Sequence, residues 1–203
     1  MGLLQHRLIL LRHGETEWSK SGQHTSRTEL ELTPRGREQA TAAAETIQQL
    51  RLDNPYVISS PRQRARTTAE LAGLSVDDVD PLISEWDYGD YEGTTTVEIR
   101  QTVPNWLVWT HGCPGGETSA QVCERADRAI DLALQHMASR DVVFVGHGHF
   151  SRALITRWIE QPVYEGIRVS MPAASIAICS FEHGVRQLSA LALTGHPDPA
   201  APA

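Results

Sequence analysis

Arg12 and His13 stand side by side directly after the apolar run Leu8-Ile9-Leu10-Leu11. That run has the length and uniform apolarity of a short buried strand, and Gly14 ends it. A permanent cation and an imidazole are thereby delivered together where a strand runs out. In open α/β sheets that is where ligands bind. Arginine favours planar oxyanions such as phosphate, and a neutral imidazole can attack phosphorus. The pair points to phosphoryl chemistry through a histidine, provided that partners exist elsewhere.

Two more strand ends supply candidates. The strand predicted over 56–59 leads into Ser60-Pro61-Arg62, and the one over 142–145 leads into Gly146-His147-Gly148-His149. Parallel strands share one carboxyl-end rim, which would bring Arg12, His13, Arg62 and His147 together. Arg62 is expected in the first turn of a helix, where the positive end of the backbone opposes a cation. An anion binding to both would resolve that opposition. Arg64 and Arg66 are read as a solvated face of the same helix. Of the nine histidines, His13 and His147 stand out because each ends a buried strand. His6, His136 and His196 carry no functional claim, and His111 and His183 belong to surface loops. An H-x-H on a strand puts both rings on one face, so His147 and His149 are alternatively a metal pair. That reading lacks a third ligand at matching spacing, and His149 is better placed as support for the pocket or the following helix.

Breaking a phosphate ester requires protonation of the leaving oxygen and later activation of water. One carboxyl group can serve both steps. Glu15, Glu17, Glu85, Asp87, Asp90 and Glu92 are the candidates, and spacing does not choose among them. Trp86, Tyr88 and Tyr91 would partly desolvate Glu85.

The elements that must position these residues alternate between strand and helix. Thr33 caps a helix with Pro34 at its first position and an apolar stripe of Ala40, Ala43, Ala44, Ile47 and Leu50. A polar loop, 19–31, precedes it. Ser60 is expected to cap the next helix, with Gln63 completing a capping box. A loop-rich section spans 75–117. Thr118 and Gln121 form a further capping box, and a helix is expected from Phe150 to about Ile159. Segments 175–181 and 185–193 read as a hairpin around Glu182-His183-Gly184. The expected fold is a three-layer α/β/α arrangement with a mostly parallel central sheet plus a C-terminal antiparallel hairpin. It forms a single domain over 1–194 with a flexible tail at 195–203.

A chain of 203 residues, 40% hydrophobic, can bury one sizeable core. Its net charge of −7 disfavours a nucleic-acid surface. Three cysteines without metal-type spacing fit reduced thiols in a cytoplasmic protein. The short N-terminal apolar run is neither a signal core nor a membrane span. The exposed edge of the hairpin could support a homodimer.

The set L-R-H-G-E-T-E-W (Leu11 to Trp18), S-P-R (Ser60 to Arg62), E-W-D-Y-G-D-Y-E-G (Glu85 to Gly93) and G-H-G-H (Gly146 to His149) resembles the histidine phosphatase superfamily, the phosphoglycerate mutase-like proteins. The four motifs occur in the family's order across nearly the whole chain. The resemblance implies that His13 becomes phosphorylated, that Arg12, Arg62 and a protonated His147 hold the phosphoryl oxygens, and that Glu85 is general acid and base. It implies no metal and no cofactor. Segment 92–116 is short, with Arg100 its only cation, and Ser19 stands where mutases carry Asn; both favour water over a second substrate as acceptor. The chain is similar to small actinobacterial acid phosphatases. Through 18–25, 109–118 and Arg152 it also resembles fungal sedoheptulose-1,7-bisphosphatase. That likeness implies His24, Thr25, Tyr88 and Arg152 on the substrate side. The implied activity is hydrolysis of small phosphate monoesters, with sugar bisphosphatase and phosphoglycerate mutase as alternatives.

Overall fold

The computed structural model describes residues 6–195, so of the expected tail only Gly195 lies among the described residues. Six strands form one sheet in the order β3-β2-β4-β1-β5-β6. They are β1 (Leu8–Arg12), β2 (Tyr56–Ser59), β3 (Asp78–Val79), β4 (Val142–Gly146), β5 (Ile176–Glu182) and β6 (Val185–Leu193). Strands β1, β2 and β3 run parallel with their neighbours around β4, while β5 and β6 are antiparallel.

Period-two alternation explains the layers. Leu8, Leu10, Val142 and Phe144 face a cluster containing Val122, Ala126 and Ile130 of α6 (Ser119–His136) and Phe150 and Leu154 of α7 (Gly148–Trp158). Ile9, Leu11, Val143 and Val145 face the opposite cluster, with Ala43 and Ile47 of α2 (Pro34–Gln49) and Ala65 and Ala69 of α3 (Gln63–Leu71). Both faces of β1 and β4 are covered, so these strands read as unbroken apolar runs. Each fully buried Leu or Ile contributes about 1.5–3 kcal/mol, enough in aggregate to fix the register that aligns the functional strand ends.

The capping signals at Thr33 and at Thr118/Gln121 form as expected. The one at Ser60 does not. Helix α3 begins at Gln63 with Arg62 as its N-cap and no side-chain cap bond; Ser60 lies two residues earlier, its hydroxyl against His147. Helix α7 begins at Gly148, two residues before its expected start. The expected 19–31 loop opens inside α1 (Glu17–Ser21). The loop-rich section carries two short helices, α4 (Thr96–Thr102) and α5 (Val108–His111), pinned by the buried Trp106 and Trp109.

Candidate functional site

The register delivers three strand ends to one rim. Arg12 lies opposite Gly146, and Ser59 opposite Val145. The His13 amide donates to the Gly146 carbonyl and the Ser60 amide to the Val145 carbonyl, both at 2.9 Å. His13, Ser60 and His147 therefore occupy equivalent positions just past their strands. The rings of His13 and His147 meet edge to face at 5.3 Å.

His13 is buried, and its Nδ1 lies 2.7 Å from the Gly14 carbonyl. A carbonyl only accepts, so Nδ1 carries the proton and Nε2 keeps its lone pair. Burial first, then the charges of Arg64 and Arg12, hold the imidazole well below its ordinary pKa. Below it the first turn after β1 is packed backbone to backbone: a Cβ on Gly14 would stand 2.2 Å from the Gly36 carbonyl oxygen. A Cβ on Gly148 would stand 3.2 Å from the Arg12 guanidinium carbon, so that glycine admits Arg12 beside the start of α7.

The arginines differ from expectation. Arg64, read as solvated, is fully buried, while Arg66 is exposed. Arg64 lies on the buried face of α3 with Ala65, Thr68 and Ala69, beneath the 24–28 loop. Its guanidinium donates to the carbonyls of Thr25, Ser26 and Thr28, and it is the first-ranked charge acting on both His13 and His147. Arg62 instead pairs with Glu29 at 2.9 Å, and the same carboxylate accepts from the Gln63 amide. Arg62, Arg64 and His147 all lie behind the wall of the main cavity, and Arg62 still acts electrostatically on His147.

For His147, expected to act protonated, burial and then the charges of Arg64 and His13 push the pKa well down in the absence of an anion. Among the described residues, the buried side-chain nitrogens and oxygens that find no partner within the protein are Arg12 Nε, Arg62 Nε, Arg64 Nε and His147 Nδ1. Arg12 adjoins His13, the His147 ring meets it and the Arg64 charge acts on it, whereas Arg62 turns to Glu29.

Of the candidate acids, one lines the cavity. The buried Glu85 carboxylate accepts from the Trp86 and Phe150 amides through Oε1 and from the His149 amide through Oε2. The two α7 donors are first-turn N–H groups with no partner inside the helix. Arg125 fixes the preceding chain by donating to the carbonyls of Leu82, Ser84 and Glu85. Glu92 is occupied by the Ser26, Arg27 and Thr28 amides, Glu15 by Thr33, and Asp87 faces Arg27. Trp86 is buried with its indole N–H on the Glu117 carbonyl, and Tyr91 packs on Trp106.

A cavity of about 610 Å³ extends from Arg12, His13 and Glu85 to His24, Thr25, Tyr88 and Arg152. The Tyr88 hydroxyl meets His149 Nδ1 at 2.6 Å, and His24 packs on Tyr88. Burial lowers the His24 pKa to about 4 and raises that of Tyr88. Arg152 lies over Trp109 and donates Nε to the Gly166 carbonyl. The metal-pair alternative loses its premise. His147 caps α7 and His149 lies in its first turn, so the two do not share a strand face. No group of three His, Cys, Asp or Glu side chains suited to a metal occurs among the described residues. No helix among them is long and apolar enough to cross a membrane.

Arg64 is the residue that sequence reasoning missed. The available signal was the apolar stripe Ala65, Thr68 and Ala69, which places position 64 toward the buried side of α3.

Comparison with known proteins agrees with this arrangement. The chain is 63% identical over 201 residues to an acid phosphatase of Mycobacterium tuberculosis, covering 99% of both. It is 38% identical over 187 residues to the sedoheptulose 1,7-bisphosphatase of Saccharomyces cerevisiae, covering 78% of this chain and 69% of that one. A solved structure of an open-reading-frame product from Mycobacterium tuberculosis superposes with a TM-score of 0.93 at 63% identity, covering 94% of this chain and 99% of that one. The family model for the histidine phosphatase superfamily, branch 1, matches residues 8–194, and the chain belongs to that family.

Proposed function

We propose that this phosphatase hydrolyses small phosphate monoesters of metabolites, in the manner of an acid phosphatase, through a phosphohistidine at His13. The observation that carries the reading is the set of unpartnered buried nitrogens on Arg12, Arg64 and His147 beside a histidine whose Nδ1 proton is already committed. Buried donors ordinarily find acceptors. Phosphoryl oxygens are acceptors of the right charge.

The lone pair of His13 Nε2 forms a bond to phosphorus as the ester P–O bond breaks. Arg12, Arg64 and His147 face the charge that spreads over the phosphoryl oxygens, as fixed donors should. Arg62 joins them if it leaves Glu29. The Glu85 carboxyl group gives its proton from its free side to the departing alcohol. Water then attacks phosphorus and returns a proton to Glu85, releasing phosphate and His13. The low pKa of His13 keeps the nucleophile unprotonated in mildly acidic solution, which fits an acid-phosphatase type of activity. His24, Thr25, Tyr88 and Arg152 contact the remainder of the substrate. Unpaired Cys113, Cys123 and Cys179 fit a cytoplasmic site of action.

His13→Ala should remove turnover and covalent labelling by a radioactive phosphoryl donor. Retained turnover would refute the phosphohistidine. Glu85→Gln should slow poor leaving groups far more than good ones in a panel of aryl and alkyl monoesters. Equal slowing across the panel assigns the proton to another group.

A further inference from the structure

His13 and His147 are both buried imidazoles at strand ends, yet they use their nitrogens oppositely. In His13, Nδ1 is spent on the Gly14 carbonyl at 2.7 Å. In His147, Nε2 is the engaged atom, 2.7 Å from the Ser60 hydroxyl oxygen, and Nδ1 is buried without a partner. Both Ser60 and His147 are completely excluded from solvent.

The Ser60–His147 contact has two possible directions. The imidazole N–H can donate to the hydroxyl, or the hydroxyl can donate to an unprotonated Nε2. The surroundings of Ser60 choose between them. Its oxygen already accepts from the Arg62 amide at 3.4 Å. Its hydroxyl proton has no acceptor among the described residues other than His147 Nε2. If Nε2 kept a proton, the hydroxyl would become a buried donor with nowhere to donate. With Nε2 as acceptor, the hydroxyl is satisfied on both counts.

We infer that Ser60 is a positioning residue that fixes His147 as its Nδ1–H tautomer, so that the Nδ1–H faces a phosphoryl oxygen as a donor. His13 and His147 then carry their protons on the same ring atom with opposite effect. One proton is parked on the backbone to free a nucleophile, and the other is kept for the transferring group. The functional half of the inference rests on the phosphatase reading, whereas the tautomer does not.

The test is nitrogen NMR of the intact protein labelled at histidine, with His147 assigned by comparison with a His147→Gln sample. The His147 spectrum should show a protonated Nδ1 and an unprotonated Nε2 in wild type. A protonated Nε2 overturns the inference. Ser60→Ala should shift the tautomer toward Nε2–H. It should also weaken inhibition by inorganic phosphate and lower kcat by roughly tenfold or more, the size of a hydrogen bond to a charged group. Ser60→Thr, which keeps the hydroxyl, should restore both. A Ser60→Ala protein that keeps both the wild-type tautomer and the wild-type phosphate inhibition also overturns it. A His147 with the stated tautomer in a protein that neither turns over monoesters nor labels at His13 would defeat the phosphatase reading and leave the tautomer assignment standing.

Discussion

The two ends of the cavity are built in different ways. At one end, His13, Ser60 and His147 each follow a strand of the same paired set, held by the register of Arg12 with Gly146 and Ser59 with Val145. Their hydrogen bonds run to backbone or to one another. At the other end, His24 and Thr25 come from a loop, Tyr88 from the segment after Glu85, and Arg152 from the middle of α7. Here ring contacts and Trp109 join the hydrogen bonds of Tyr88 with His149 and of Arg152 with the Gly166 carbonyl. A sheet rim fixes atoms to within tenths of an ångström, which transfer of a phosphoryl group requires. Loops on a rigid scaffold vary without disturbing the frame. On the proposed reading, reaction type belongs to the strand ends and choice of substrate to the loops.

The sharpest break in that comparison falls between two arginines of the same segment. Arg64→Ala should cost roughly 10²–10³-fold in kcat, the scale for losing one fixed transition-state donor. Arg62→Ala should cost about tenfold or less, because its guanidinium pairs with Glu29 at 2.9 Å. Steady-state kinetics on one aryl phosphate, with thermal melts to confirm folding, compares the two. Equal losses would mean that Arg62 leaves Glu29 on substrate binding and shares the load. Arg152→Ala addresses the loop end. It should raise KM by about tenfold for substrates with a second anionic group while kcat changes little, since it removes binding common to ground and transition states. A loss confined to kcat would move Arg152 into the reacting set.

The same division explains what could be read from the chain alone. The strand ends are legible because an apolar run followed by Arg-His or Gly-His is a local pattern, and parallel pairing sends all such ends to one rim. The α/β/α layering followed from the same runs and from the caps at Thr33 and Thr118. Arg64 is harder to read because its partners are tertiary: the carbonyls of Thr25, Ser26 and Thr28 lie 36–39 residues away along the chain. Helix α4 carried a readable signal in its Thr95/Glu98 capping box. Helix α5 has four residues and no side-chain cap; it exists because Trp109 is buried beneath it.

The smallest expected effect is on stability, and it again separates the two ends. His13, His24, His147 and His149 all have pKa values pushed down, in each case chiefly by burial. Unfolded, each titrates near 6.5. Below that value the unfolded chain binds protons that the folded chain does not, so stability is complete above about pH 6.5 and falls as the pH is lowered. His24, with a folded value of about 4, accounts for about 2 kcal/mol of the loss between pH 7 and pH 5. His24→Gln should therefore flatten the melting-temperature profile over that range by about 4–8 °C. Identical slopes in the two proteins would show that His24 is protonated in the folded state. Inorganic phosphate acts on the other end. A bound anion offsets the charges of Arg12 and Arg64 that keep His13 and His147 neutral, so its stabilisation should grow as the pH falls toward 5. That increment should persist in His24→Gln and vanish in Arg64→Ala, because the strand ends hold the anion and the loop end does not.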